Sequence, residues 1–292
     1  MNGLEHVLAV QNKLGEGPQW NAEEQALYWV DIEGKRFYRY FPRVGKYESF
    51  DVDTMIGVLA MRAAGGLVLA TQKGFAFWEA RQGLRFIADP EEHKAHTRFN
   101  DGAVDCMGRF WAGTMCYPVD ACEQPEGSLY RLDPDLSLRL METGVGVSNG
   151  IGWSPDNRLM YYTDSPLRMI YVYDFDAASG SIENRRPFVH TPNEKGCPDG
   201  LAVDSEGFVW SANWGGWKIT RYAPDGRVAR EIQMPVQYPT SCAFGGEYLD
   251  ELYITSAWTA LSAEKRAGQP YAGDLFRLHV GIRGLAQAKF AG

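Results

Sequence analysis

The stretch Leu27-Tyr28-Trp29-Val30-Asp31-Ile32-Glu33-Gly34-Lys35-Arg36-Phe37-Tyr38-Arg39-Tyr40 contains two short runs of aromatic and β-branched residues. A loop with a glycine separates them, and a small polar turn that includes Asn21 precedes the first run. Such runs between turn residues predict short strands that follow one another in a sheet. This unit decides the fold because the rest of the chain repeats it.

The strand–loop–strand unit occurs six times. If Tyr28, Val68, Phe110, Tyr161, Val209 and Tyr253 mark the middle of each first run, the repeats are 40 to 51 residues apart. The second runs are 36–40, 75–78, 128–132, 170–173, 219–222 and 274–278. Helical periodicity is weak almost everywhere. Six repeats of this length, with four short strands each, predict an all-β six-bladed β-propeller in which residues 1–292 form a single domain around a central channel. An irregular β-sandwich, the alternative, requires no sixfold recurrence.

Composition excludes several classes of function. The 292 residues are 45% hydrophobic and 23% charged, with a formal net charge of −8. Acidic balance argues against a nucleic-acid partner, and no apolar run reaches the roughly 20 residues of a membrane helix. No basic patch followed by an apolar run is visible near the N-terminus. We therefore expect a cytoplasmic protein with no nucleic-acid or membrane partner, which is a monomer or a weak homodimer.

Cysteine and histidine patterns also narrow the chemistry. The five cysteines are odd in number and form no CxxC motif, so we expect reduced thiols. The five histidines are scattered along the chain, which disfavours a histidine metal site or a Ser-His-Asp triad. Carboxylates and amides are therefore the expected catalytic groups.

A shared register places four polar residues at one level of the channel. The polar turns of four repeats are anchored by Asn21, Asp105, Ser154 and Asp204, and the residues five positions earlier are Glu16, Asn100, Asn149 and Asp199. Each lies at or next to a glycine motif, and Thr240 matches them in the sixth repeat. Since the first strand of each blade lines the channel, these side chains are expected to form a ring. Asp and Asn beside Gly are also ordinary turn residues, but a turn needs no glutamate at the equivalent position.

Such a ring has the chemistry of a catalytic cation site. Carboxylate and amide oxygens are hard donors that suit Ca²⁺, Mg²⁺ or Mn²⁺. Three protein ligands leave positions open for water and substrate. The loops between second and third strands are expected to surround the ring and to supply polar and aromatic groups suited to a polyhydroxylated ligand. These groups are Tyr117, Glu123, Arg168, Trp214, Trp217 and Trp258.

The ordered set of motifs resembles the gluconolactonase/regucalcin (senescence marker protein) family of six-bladed propellers, the sugar-lactone lactonases. The resemblance runs nearly end to end. The motifs are Leu14-Gly15-Glu16-Gly17-Pro18-Gln19-Trp20, Arg98-Phe99-Asn100-Asp101-Gly102, Ala112-Gly113-Thr114-Met115, Gly127-Ser128-Leu129-Tyr130, Ser148-Asn149-Gly150, Pro198-Asp199-Gly200 with Asp204, and Pro239-Thr240-Ser241-Cys242-Ala243-Phe244-Gly245-Gly246.

The resemblance implies a role for each site residue. Glu16, Asn149 and Asp199 would bind one divalent cation (Ca²⁺, Zn²⁺, Mn²⁺, Mg²⁺ or Fe²⁺), and Arg98 and Asn100 would bind substrate. Glu123 matches a further substrate-binding glutamate, although Glu126 is nearby.

The implied reaction is hydrolysis of an aldonolactone to the aldonic acid. The cation would polarise the carbonyl, and Asp199 would act as both ligand and general base. Water activated directly by the cation is the alternative nucleophile.

Three other functions stay open from the sequence. A non-enzymatic Ca²⁺-binding regulatory protein of the regucalcin type would share the ring. An interaction platform would need neither the ring nor its register. A hydrolase for lactones with acyl chains would be expected to have a more apolar mouth and a second, deeper cation site.

Overall fold

Six four-stranded antiparallel sheets surround a central channel in the computed structural model, which describes residues 3–292. Strand β1 (Leu4–Leu8) comes first in the chain. Blade one contains β2 (Gly15–Asn21), β3 (Ala26–Asp31), β4 (Arg36–Phe41) and β5 (Lys46–Asp51); blade two contains β6 (Ile56–Met61), β7 (Leu67–Thr71), β8 (Gly74–Glu79) and β9 (Gly83–Ala88); blade three contains β10 (Thr97–Val104), β11 (Phe110–Cys116), β12 (Gly127–Leu132) and β13 (Leu138–Val145).

The second half of the chain continues the series. Blade four contains β14 (Ser148–Trp153), β15 (Leu159–Asp164), β16 (Met169–Asp176) and β17 (Ser181–His190); blade five contains β18 (Cys197–Val203), β19 (Val209–Trp214), β20 (Lys218–Tyr222) and β21 (Val228–Gln233); blade six contains β22 (Pro239–Gly245), β23 (Glu251–Ser256) and β24 (Leu275–His279). One short helix, α1 (Ala263–Ala267), lies between β23 and β24. The predicted six-bladed β-propeller is confirmed, and the predicted second and third strands coincide with those observed.

Aromatic residues of the second and third strands form the packed layers. Trp29 on β3 is opposite Tyr38 on β4, and their rings stack with centroids 4.7 Å apart. Between blades one and two, Phe37 meets Trp78 edge-on at 4.8 Å. Large rings of this kind suit the wedge between twisted sheets because each buries a large apolar area. The hydrophobic core therefore consists of layers between neighbouring blades.

The first strand of the chain closes the ring. Blade six has the strand order β1-β24-β23-β22, so β1 supplies its outer strand. Leu4 pairs with Leu278, and Glu5 accepts a hydrogen bond of 2.6 Å from Arg277. This closure was not predicted from the repeats, since β1 carries no repeat signature of its own. It joins the first and last parts of the propeller by backbone hydrogen bonds.

The C-terminal segment crosses the end of the channel that lies away from the starts of the inner strands. Residues 285–288 line a cavity of about 310 Å³ there, together with residues of five inner strands. Phe290 is fully buried, with its ring centroid 6.1 Å from that of Phe77. Within residues 3–292, no helix has the length and apolarity that crossing a membrane requires.

Two cysteines correct the expectation of reduced thiols. Cys116 at the end of β11 is bonded to Cys122 in the following loop, with their Cα atoms 6.1 Å apart. The loop turns back on itself over six residues and brings the two sulfurs together, which the spacing alone did not reveal. Cys106, Cys197 and Cys242 are free thiols. The single-domain assignment, the cytoplasmic location and the oligomeric state stay predictions.

Candidate active site

A β-bulge in every inner strand builds the site. The pairing of the first and second strands shifts register at one level in all six blades, and the shifts fall at 16–19, 56–58, 99–101, 148–151, 198–201 and 239–242. A bulge redirects side chains that regular pleating would point to alternating faces. The four predicted ring residues, Glu16, Asn100, Asn149 and Asp199, all lie at these bulges.

The four predicted ring residues meet in one cavity. Glu16, Asn100, Asn149 and Asp199 are all buried and line a cavity of about 340 Å³ at the end of the channel where the inner strands begin. Thr240 does not line this cavity. Its hydroxyl donates a hydrogen bond to the carbonyl of Gly15, so it connects blade six to blade one instead.

The glycines beside the ring allow the inner strands to approach one another. A Cβ atom on Gly150 would lie 2.6 Å from the backbone nitrogen of Leu201 on the next inner strand. One on Gly57 would lie 2.5 Å from the carbonyl oxygen of Phe99. These contacts are shorter than packing permits, so a side chain at either position would force the strands apart. The Asn-Gly dipeptide in blade four therefore reflects a close strand approach rather than a hairpin turn.

A hydrogen-bond network connects Arg98, Asn100 and Asn149 in the cavity. The Arg98 guanidinium donates through Nη1 to Asn100 Oδ1 at 2.7 Å and to the carbonyl of Phe99 at 3.0 Å. Asn100 Nδ2 donates to the carbonyl of Ser148 at 2.9 Å and to Asn149 Oδ1 at 3.3 Å. Arg98 is buried, yet its Nε has no hydrogen-bond partner among residues 3–292. A buried donor of this kind is costly unless it meets water or a ligand.

Ser165 sets the orientation of the Asn149 amide. Asn149 Nδ2 donates to Ser165 Oγ at 3.0 Å, and Ser165 Oγ donates to the carbonyl of Pro198 at 2.7 Å. Since the nitrogen of the amide is engaged by Ser165, its oxygen is left for the ring. Ser165 belongs to none of the motifs that mark the ring residues in the sequence. Its position directly after β15, in a loop expected at this face, was the available signal.

Three buried carboxyl groups in the channel have raised pKa values because burial disfavours their ionisation. Burial raises the pKa of Glu16 well above its usual range, and the neighbouring charges of Asp199 and Asp101 add to that effect. Burial, followed by the charge of Asp101, also raises the pKa of Asp199. Asp101 lines the cavity at the other end of the channel, and its burial raises its own pKa to about 6. Burial lowers the pKa of Arg98 to about 10, so it stays protonated at neutral pH.

The donor set fits a divalent cation. Glu16 and Asp199 supply two carboxylates and Asn149 supplies an oriented amide oxygen, all hard ligands on buried residues. A 2+ ion would balance the two carboxylates whose ionisation burial disfavours. Cys116, Cys122 and Glu126 form another geometric cluster of metal-binding residue types. Its sulfurs are bonded to each other, so they offer no thiolates.

Only some of the loop residues that were predicted to surround the ring line the cavity. Tyr117 and Trp214 do so. Arg168 instead donates to backbone carbonyls at 194 and 196, and the indole of Trp258 lies under the guanidinium of Arg266 at 3.6 Å. Trp217 and Glu123 are not among the lining residues; Glu123 is exposed on the loop that follows β11, and its substrate-binding role stays a prediction.

Two further loop residues that were not predicted from the sequence also line the cavity. Glu33 and Thr259 line the cavity, and Thr259 Oγ1 donates to Glu33 Oε2 at 2.7 Å. Both lie on loops that were expected at this face, but neither carries a motif. The remaining lining residues are largely apolar and include Leu14, Met115, Val119, Val147 and Pro166.

Comparison with known proteins places the sequence in a family. The profile of the SMP-30/Gluconolactonase/LRE-like region matches residues 14–258. The chain is similar to 6-deoxy-6-sulfogluconolactonase of Pseudomonas putida, with 39% identity over 292 residues, 99% of this chain and 99% of that protein. It is also similar to the pentonolactonase XacC of Haloferax volcanii, with 37% identity over 286 residues, 95% of this chain and 94% of that protein.

A solved structure has the same fold. The crystal structure of a calcium-binding protein, regucalcin, from Agrobacterium tumefaciens superposes with a TM-score of 0.94 at 25% sequence identity. The match covers 99% of this chain and 97% of that one.

Proposed function

The chain belongs to the SMP-30/gluconolactonase/LRE-like family, and we propose that it hydrolyses a sugar lactone to the corresponding aldonic acid with the help of one divalent cation. Two of its relatives are named as lactonases, so the enzyme class is that of a hydrolase of cyclic esters. The observation that carries the cation-dependent mechanism is the meeting of Glu16, Asn149, Asp199, Arg98 and Asn100 in one buried cavity.

Glu16, Asn149 and Asp199 would hold the cation. When bound, it supplies Lewis-acid polarisation of the lactone carbonyl and increases the acidity of water. The oxygen-only donor set suits Ca²⁺, Mg²⁺ or Mn²⁺ and also accommodates Zn²⁺ or Fe²⁺.

Asp199 acts as general base in this proposal. Its carboxylate accepts a proton from the water that attacks the lactone carbonyl, and it returns that proton to the ring oxygen when the acyl C–O bond breaks. Asp199 as a residue is 3% exposed, so its carboxylate has little contact with bulk water. The aldonic acid product ionises at neutral pH, and the net reaction releases one proton that an assay can follow.

Arg98 and Asn100 position the substrate. The unpartnered Nε of Arg98 is free to donate to a ring hydroxyl or to the developing oxyanion. Because Nη1 of Arg98 is held by Asn100 Oδ1, the guanidinium keeps one orientation while substrate exchanges. Preorganised donors of this type cost no rearrangement when charge develops.

A calcium-binding regulatory protein without turnover is the second candidate. The likeness to the structure described as a calcium-binding protein favours it, and it would use the same three cation ligands. It gives no reason for a buried arginine with an unpartnered donor beside the cation site. A panel of lactones with cation-loaded protein separates the two candidates.

The test is proton release from gluconolactone, galactonolactone, arabinonolactone and xylonolactone. We expect Asp199→Ala to remain folded and to lose about 100-fold or more in kcat. Asp156→Ala, which removes an exposed carboxylate from a turn of blade four, should retain the wild-type rate. Equal rates for Asp199→Ala and Asp156→Ala would reject the assigned role, and absence of turnover on every lactone would favour the regulatory protein.

A further inference from the structure

We propose that Glu33 determines which lactones enter the site. Its carboxylate accepts a hydrogen bond from a hydroxyl group at the end of a neutral sugar lactone that lies away from the lactone carbonyl, and it repels a lactone with an anionic group at that end. This inference rests on the proposed lactonase function and names its substrate class: uncharged aldonolactones. Glu33 has no role in the cation site or in the proton transfer described above.

The carboxylate of Glu33 is held in place at the cavity by two blades. Glu33 lies in the loop 32–35 between β3 and β4 of blade one, and it lines the same cavity as Glu16 and Asp199. Thr259, on the loop after β23 of blade six, donates through Oγ1 to Glu33 Oε2 at 2.7 Å. Thr259 is itself fixed by a backbone hydrogen bond of 3.0 Å to the carbonyl of Lys13. The carboxylate is therefore a positioned group rather than a mobile surface charge.

Glu33 belongs to the polar wall of an otherwise apolar cavity. The guanidinium carbon of Arg98 lies 5.0 Å from the centroid of the Tyr117 ring. Burial raises the pKa of the Tyr117 hydroxyl, and the charge of Glu33 contributes to that rise. The same charge favours the protonated form of Arg98. Glu33, Arg98 and Tyr117 are thus close enough to act on one another and on one bound ligand.

The charges of the cavity favour a neutral ligand. Among the residues that line it, the acidic groups are Glu16, Glu33 and Asp199, and the basic group is Arg98. A bound divalent cation would balance Glu16 and Asp199, while Arg98 would balance Glu33. An uncharged lactone then enters a cavity with no net charge. A phosphate or sulfonate on the ligand would add an unbalanced negative charge to a half-buried site that already contains Glu33, where like charges are poorly screened.

A hydroxyl group, by contrast, can donate a hydrogen bond to the carboxylate of Glu33. An ionised carboxylate is only an acceptor and has lone pairs beyond the one used by Thr259. A sugar hydroxyl is a donor, and a hydrogen bond to a charged acceptor is stronger than one between neutral groups. Glu33 therefore selects by attraction for a hydroxyl and by repulsion of an anion, the two components that specificity requires.

The experiment compares kcat/KM for glucono-1,5-lactone with that for 6-phosphoglucono-1,5-lactone, with matched cation and ionic strength. We expect the wild type to favour the neutral lactone by about 100-fold, and Glu33→Gln to reduce this preference by about tenfold through a lower KM for the phosphorylated lactone. Glu33→Lys should reduce it further. Glu264→Gln removes the same charge from helix α1, outside the cavity, and should leave the preference unchanged.

The possible failures are distinguishable. If the wild type opens neither lactone nor any other lactone of the panel, the proposed function fails. If it opens the neutral lactone but Glu33→Gln and Glu33→Lys, folded by their melting temperatures, keep the wild-type preference, only the role of Glu33 is rejected. A wild type that prefers the phosphorylated lactone also rejects it.

Discussion

At the residue scale, the burial of Glu16, Asp101 and Asp199 in one channel is the costly feature of the molecule. Each is at most 6% exposed, and burial is the main cause of the rise in the pKa of each carboxyl group. Groups at functional sites often have such shifts, because the same burial that penalises a charge strengthens its interaction with a ligand. In the cation-free protein these three carboxyl groups are therefore destabilising when they ionise, whereas the same arrangement suits the cation-bound protein.

The contribution of Asp101 predicts a pH dependence of stability in cation-free protein. Its pKa is about 6 when folded and near 3.8 in the unfolded chain. Between these pH values the Asp101 carboxyl group is protonated in the folded state and ionised in the unfolded chain. Its contribution to the free energy of unfolding is therefore fully present below pH about 4 and is lost as the pH rises to about 6, a difference of about 3 kcal/mol. Thermal unfolding in chelator should show this loss.

The control is Asp101→Asn, which keeps the shape of the side chain and removes its titration. Its stability should change less with pH over the same interval than that of the wild type. Parallel pH profiles for the two proteins would contradict the assignment to Asp101.

The ring residues were predictable from sequence, whereas the residues that contact or neighbour them in the site were not. Glu16, Asn149 and Asp199 share a register with the repeats, so the comparison of blades located them without coordinates. Ser165 and Glu33 lie in loops of unequal length, where no register applies. Asp101 lies beside a ring residue, but its placement toward the opposite cavity depends on the bulge in β10.

At the element scale, buried aspartates fasten the turns of two inner strands. In blade five, Asp204 is fully buried and accepts hydrogen bonds from Trp210 Nε1 at 2.9 Å and from Arg221 Nε at 2.9 Å. In blade three, Asp105 accepts hydrogen bonds from Trp111 Nε1 at 2.8 Å and from Arg109 Nε at 2.6 Å. The contacts of Asp204 join the end of the first strand to the second and third strands, whereas those of Asp105 join it to the start of the second strand. The turn anchors of the sequence register are thus structural residues.

The prediction for this element concerns Asp204→Ala. The substitution leaves Arg221 and the indole of Trp210 without their buried acceptor, and breaking a buried pair of this kind costs about 3 to 5 kcal/mol. Urea unfolding followed by tryptophan fluorescence measures the change. Asp225→Ala removes an exposed aspartate from the hairpin turn of the same blade and should cost less than about 1 kcal/mol. Similar unfolding midpoints for the two variants would show that the buried contacts contribute little.

The strands themselves followed from the repeat because aromatic and β-branched residues recur in the second and third strands of the blades. The bulges could not be predicted, since they arise from the fit of six strands around one axis. The bond between Cys116 and Cys122 depends on the path of residues 117–126, whose composition fixes no register.

At the scale of the whole molecule, one terminal segment closes the ring of blades and the other borders one end of the channel. Strand β1 closes the ring by pairing with β24, and residues 285–288 border the channel at the end away from the cation ligands. The cavity with Glu16, Asn149 and Asp199 opens at the other end, among the loops between second and third strands. Substrate is therefore expected to enter from the loop face, past Glu33 and Tyr117. Repeats predicted the ring, but neither terminal segment belongs to a repeat.

The central claim is that a divalent cation held by Glu16, Asn149 and Asp199 is required for lactone hydrolysis. The most direct measurement is the rate of proton release from glucono-1,5-lactone, corrected for spontaneous opening, before chelation, after chelation and after return of Ca²⁺, Mg²⁺, Mn²⁺, Zn²⁺ or Fe²⁺. We predict a loss of about 100-fold or more on chelation and recovery with at least one cation in the wild type, but no recovery at the same concentration in Glu16→Gln. An undiminished rate in the fully chelated wild type would contradict the claim.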